Sequence, residues 1–122
     1  MKPLIRSLKE DVAAVRLWAA SSLAEVGSIS REKAEIVVSE LLLSLRIDQE
    51  PLVRSNCIWS LGRLYGKLGE SRKKQLVELF LTVLLNDGES SVRYEARIAL
   101  EQLDSSRVQE KLQLLIDEGL LN

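Results

Sequence analysis

The chain has 122 residues, 17 Lys plus Arg against 18 Asp plus Glu, a formal net charge of −1, one cysteine and no histidine. That length suits one domain, and the balanced charge argues against dedicated binding of nucleic acid or of an anionic membrane. Without histidine there is no imidazole general base, none of the commonest metal ligand and no Ser-His or Cys-His nucleophile, and the lone Cys57 excludes an internal disulfide, so neither a metal nor a cofactor is expected.

In chain order, the N-terminal run Met1-Lys2-Pro3-Leu4-Ile5-Arg6 lacks the apolar stretch of a signal peptide and opens a short helix near 3–9. Apolar residues then recur with helical spacing near 12–26, 31–46, 50–65, 71–85, 90–103 and 107–118. Gly27-Ser28, Gly66 and Gly69, Asp87-Gly88 and Asp104-Ser105 punctuate them, and Ser106 with Gln109 reads as a capping box. The longest strongly apolar run, Leu76 to Leu85, is broken by Glu78 and is too short to cross a bilayer. No segment alternates with period two for long enough to form a sheet, so the chain is expected to be all-α. A single reduced thiol with no leader fits the cytoplasm.

Three of these helices are copies. Each starts Val-Arg, at Val15, Val53 and Val92, recurring after 38 and then 39 residues. A small residue follows four positions after the Val (Ala19, Cys57, Ala96), a Leu after eight (Leu23, Leu61, Leu100) and an aliphatic residue after eleven (Val26, Leu64, Leu103). Those offsets fall on one helical face. The intervening helices repeat as well: Val37, Val38, Leu41, Leu42 and Leu45 are matched by Leu76, Val77, Phe80, Leu81 and Leu84. Helix pairs this short bury their apolar faces only by stacking on neighbouring pairs. The expected units are 1–27, 28–66 and 67–104, with a terminal helix at 105–122, in one domain.

The pattern Leu-x-x-Asp followed by Val-Arg-x-x-Ala-x-x-x-Leu, seen at Leu84 to Asp87 before Val92 and at Leu45 to Asp48 before Val53, resembles the HEAT repeat. The resemblance spans almost the whole chain and implies an α-solenoid of about three antiparallel helix pairs in a right-handed superhelical stack. It also implies a structural ladder of Asp11, Asp48 and Asp87 with Arg16, Arg54 and Arg93. On the residues alone, each Asp precedes a helix and can cap it, and a guanidinium from a neighbouring unit suits such a carboxylate.

Opposite the core stripe, offsets 2, 6 and 9 carry Leu17, Ser21 and Ala24, then Ser55, Trp59 and Gly62, then Tyr94, Ile98 and Glu101. The second helix of each HEAT pair lines the concave surface, so the resemblance places Leu17, Trp59, Tyr94 and Ile98 along one groove, flanked by Arg63 and Arg97. Trp18, at offset 3, is expected to be buried on a helix flank. These residues are the candidate partner-binding site of a non-enzymatic scaffold or adaptor. Two alternatives remain open: an auxiliary subunit of a phycobilin-lyase-type complex, and a nucleic-acid-binding HEAT-like protein. Neither terminal unit carries a polar cap, which leaves room for end-to-end self-association or a longer array.

Other motifs carry less. Gly62 to Leu68 departs from a phosphate loop in spacing and in the hydroxyl position. Cys57 takes the small-residue position and reads as an inert buried thiol, and the carboxylates Glu10-Asp11, Glu32 and Glu35 read as solvated. Lys67, Arg72, Lys73 and Lys74 form a basic cluster around one inter-helix turn, suited either to solvent or to docking an acidic partner or a phosphate group.

Overall fold

The computed structural model describes residues 2–103 and 106–121. Among them lie seven α-helices and no strand: α1 (Lys2–Ser7), α2 (Ala13–Gly27), α3 (Arg31–Ile47), α4 (Pro51–Leu64), α5 (Glu70–Asn86), α6 (Ser90–Gln102) and α7 (Ser106–Asp117). A single 3₁₀ turn, Tyr65–Lys67, extends α4. Each helix lies within about two residues of its expected bounds. The expected linker residues Asp104 and Ser105 fall outside the described residues, as do Met1 and Asn122.

Local chemistry sets several of these ends. Ser30 caps α3 by accepting a hydrogen bond from the Lys33 amide at 3.1 Å, with Glu32 in the first turn and Arg46 in the last, both favourable to the helix dipole. Pro51 opens α4, where its missing N–H costs nothing. Gly119 closes α7 with φ +78°: its amide donates to the Ile116 carbonyl at 3.0 Å and the Leu120 amide to Leu115 at 2.9 Å, a Schellman arrangement. Gln109 does not form the expected capping box. Ser106 is already the first helical residue, and the Gln109 side-chain amide donates to the Glu101 carbonyl at 3.3 Å.

The buried residues form one continuous cluster from Leu8 to Leu112. The offsets 4 and 8 of all three Val-Arg helices lie in it (Ala19, Leu23, Cys57, Leu61, Ala96, Leu100), facing Val37, Leu41, Leu76 and Phe80 of the intervening helices. Helix α2 packs on α3 and α4, α4 packs also on α3 and α6, α5 packs on α6, and α6 packs on α7. Small residues permit the close passage of α2, α4 and α6. The Ser60 hydroxyl, fully buried, donates to the Ala20 carbonyl at 2.6 Å, and a methyl group built on Gly62 would stand 3.9 Å from Ala99 Cβ.

Phe80 is the largest fully buried side chain. Phe80→Ala should destabilise the protein by about 3–5 kcal/mol in urea unfolding, the range for an aromatic cavity in a close-packed core. A loss below about 1 kcal/mol would contradict this packing.

Candidate functional site

Two constellations stand out on the Val-Arg helices: a set of arginine–aspartate contacts between successive units, and an exposed arc bearing aromatic residues.

In the first, Arg16 Nε donates to Asp48 Oδ2 at 2.8 Å and Nη2 to Oδ1 at 3.2 Å, while Nη1 turns back to the carbonyls of Glu10 and Asp11 at 2.8 and 2.9 Å. Arg54 repeats this geometry one unit on. Its Nε and Nη2 reach Asp87 at 3.0 Å each, and Nη1 reaches the carbonyls of Asp48 and Gln49 at 2.9 and 3.1 Å. Arg93 Nη1 donates to the Asp87 carbonyl at 2.6 Å. One guanidinium thus joins the turn before its own helix to the turn before the next Val-Arg helix, using the fork that lysine lacks. Asp11 enters this set through its backbone carbonyl, and its side chain stays exposed.

The aspartates do not cap their helices as expected. Asp48 Oδ1 accepts from the Glu50 amide and Asp87 Oδ1 from the Glu89 amide, each at 3.0 Å, and Glu50 and Glu89 are the N-cap residues. Each aspartate therefore folds the turn two residues ahead of the cap. The carboxylates are mostly buried, and so are the guanidinium groups they meet. Hydrogen bonding to Asp48 raises the Arg16 pKa against the opposing effect of burial. For Asp87, burial is the largest influence and opposes ionisation. The Arg54 hydrogen bonds, the Glu89 amide and the charges of Arg54 and Arg93 together outweigh it and hold the carboxyl below its ordinary value.

The second constellation lies on α4, whose circumference divides cleanly. Val53, Cys57, Leu61 and Leu64 face the core, Asn56 and Ser60 meet α2, and Gly62 approaches α6. Leu52, Trp59 and Arg63 occupy the remaining arc and are exposed. The Arg63 guanidinium lies 4.9 Å from the centroid of the Trp59 ring. Trp59 borders two cavities: one of about 230 Å³ shared with Arg63, Glu95 and Ala99, and one of about 280 Å³ shared with Ser21, Asn56 and Glu95.

The other strip residues are placed differently. Leu17 and Ile98 are half-buried, and Leu17 packs against the core cluster. Tyr94 is 65% exposed but lines a separate cavity with Leu84, Leu85, Arg93, Arg97 and Leu120. Arg97 donates to Glu101 at 2.9 Å and faces that cavity. Trp18, expected to be buried, is 59% exposed. Its position is indeed a flank, the one that Asn56 occupies on α4, where α2 covers it; on α2 itself no Val-Arg helix of the described residues packs there. Tyr94 is exposed for the same reason: the matching Leu17 is covered on the α4 side, whereas no Val-Arg helix of the described residues packs on that side of α6.

Two members of the basic cluster, Arg72 and Lys73, meet carboxylates, while Lys67 and Lys74 are exposed. Arg72 donates to Glu35 at 3.1 Å, to Gln75 at 2.8 Å and to the Ser39 hydroxyl, and Lys73 lies 3.7 Å from Glu70 and 5.5 Å from the Tyr65 ring centroid. Cys57 is fully buried, and burial pushes its thiol up to about 12. Among the described residues no group of His, Cys, Asp or Glu is disposed to hold a metal ion, and no helix is long and apolar enough to cross a membrane. No protein-family model and no curated protein sequence matches the chain.

Two outcomes follow. Because the Asp87 carboxyl titrates lower in the folded chain than in the unfolded one, its contribution is complete above the unfolded value of about 3.9 and is lost as pH falls through the depressed folded value. Asp87→Asn should therefore be less stable than wild type at neutral pH, with the gap closing as unfolding is measured below about pH 4. A gap independent of pH would contradict the ion-pair assignment. Ellman's reagent should label Cys57 only as fast as the fold opens, and at once in denaturant; rapid labelling of the native chain would contradict its burial.

Proposed function

We propose that the chain is a HEAT-like α-solenoid acting as a non-enzymatic protein-interaction scaffold, with the outer arcs of α2, α4 and α6 forming its concave docking face. The Val-Arg repeat and the arginine–aspartate contacts between units support the solenoid reading. The observation that carries the docking reading is Trp59. It is 42% exposed at the middle of the only arc that α4 leaves uncovered, between two depressions. An aromatic ring held at the centre of a face, bordered by an arginine and by shallow cavities, has the character of an interaction anchor. Leu52, exposed on the same arc of α4, widens the apolar part of this face, and Arg63 and Glu95 supply charge of both signs to orient a partner.

The test is affinity capture from the native lysate with wild type and with Trp59→Asp, after circular dichroism has shown equal helix content. Because the side chain is on the outer arc, the variant should fold and lose one specific partner, with binding weakened at least about thirtyfold, as for a central aromatic hot spot. Full retention of every wild-type partner would remove this face from consideration.

A further inference from the structure

The depression of about 280 Å³ beside Trp59 is lined by four residues from three helices: Ser21 of α2, Asn56 and Trp59 of α4, and Glu95 of α6. That is slightly below the roughly 300–1,000 Å³ of a small-molecule site, and it suits a single inserted side chain. Its polar groups are arranged in one sense. Asn56 Nδ2 donates to Ser21 Oγ at 2.6 Å and to the Leu17 carbonyl at 3.4 Å, and Ser21 Oγ donates to the same carbonyl at 3.3 Å. Both side chains thus direct their donors back onto α2. What they leave for a ligand is an acceptor, Asn56 Oδ1. Glu95 adds a carboxylate, acceptor-only when ionised, that makes no ion pair among the described residues. The remaining wall is an indole that already carries one cation: Arg63 lies over Trp59 and lines the neighbouring cavity but not this one.

Acceptors beside a π surface select a cationic donor. A guanidinium fits best, because its plane stacks on an indole while its edge presents several N–H groups to a carboxylate and an amide oxygen at once. We propose that this depression receives an arginine side chain of a partner protein, stacked on Trp59 and hydrogen-bonded to Glu95 and Asn56 Oδ1. The assignment rests on the docking face proposed above and names the chemistry that the face recognises.

The probe is Nα-acetyl-argininamide, titrated into the full chain and followed by the NMR signals of the indole N–H groups and of the Asn56 side-chain amide. The Trp59 and Asn56 signals should shift saturably while the Trp18 indole, in the same spectrum, stays still. Nα-acetyl-glutaminamide should move neither. The isosteric Glu95→Gln variant, with unchanged helix content, should weaken the titration about tenfold or more, the scale of losing a hydrogen bond to a charged group. An unmoved Trp59, equal movement of Trp18, or an unaltered titration in Glu95→Gln would overturn the assignment. If the probe fails while Trp59→Asp still loses its partner, the docking face stands without this chemistry. If Trp59→Asp keeps every partner, the face falls and this role falls with it.

Discussion

Helix α4 is packed on three sides, by α2, α3 and α6, and the rest of the molecule is arranged around that constraint. A helix so enclosed keeps its neighbours close only if the residues at the contacts are small. The contacts duly carry Ala19, Ala20, Cys57, Ser60, Gly62, Ala96 and Ala99. Ser60 brings a hydroxyl into this interior and satisfies it on the Ala20 carbonyl, so the polar group adds a bond without leaving an unpaired atom. The arc that remains to α4 is narrow, and bulky residues gather there: Leu52, Trp59 and Arg63. Packing demands on one side of the helix thereby decide what stands on the other.

The arginine–aspartate contacts complement this packing. Apolar burial is non-directional and would tolerate rotation of one helix against the next. The planar forks of Arg16 and Arg54 are directional, since each holds two backbone carbonyls before its own helix and both oxygens of an aspartate beyond the next one. Each aspartate in turn shapes the turn that leads into the following Val-Arg helix. The chain of contacts runs from turn to turn and fixes the rotation of successive helices, so that Ser21, Asn56, Trp59 and Glu95, from three different helices, meet at one depression.

Most of the helical architecture was legible in the sequence because it is written in periodicity. The repeated Val-Arg start and offsets 4, 8 and 11 located the helices and their core stripe, and the bounds needed only local adjustment, as at Glu50, which caps α4 instead of opening it. The exposed face was legible only in part. Placing it directly opposite the core stripe assumes that a helix is buried on one side, whereas α4 meets three other helices and leaves only Leu52, Trp59 and Arg63 exposed. Burial of the α6 side at Gly62 turns the open arc toward Leu52, Trp59 and Arg63. Trp59 lies on the overlap of the expected and observed arcs and so was found; Leu17 lies outside it, and Ile98 shares the offset of Trp59 on α6, but both are half-buried. Trp18 was missed for a different reason, since whether a flank position is covered depends on the neighbour and not on the residue. Glu95 and Asn56 were missed because nothing in a single helix signals that three helices converge on them.

The proposed docking requires that the aromatic arc be presented to solvent and be covered when a partner binds. Acrylamide quenching of single-tryptophan variants retaining Trp18 or Trp59, with and without the captured partner, tests it most directly. The account predicts water-like emission and ready quenching of both indoles in the unbound chain, Trp59 the less accessible because Arg63 covers part of its ring, and strong protection of Trp59 in the complex. Blue-shifted, unquenched emission in the unbound chain, or unchanged quenching of Trp59 in the complex, would contradict it.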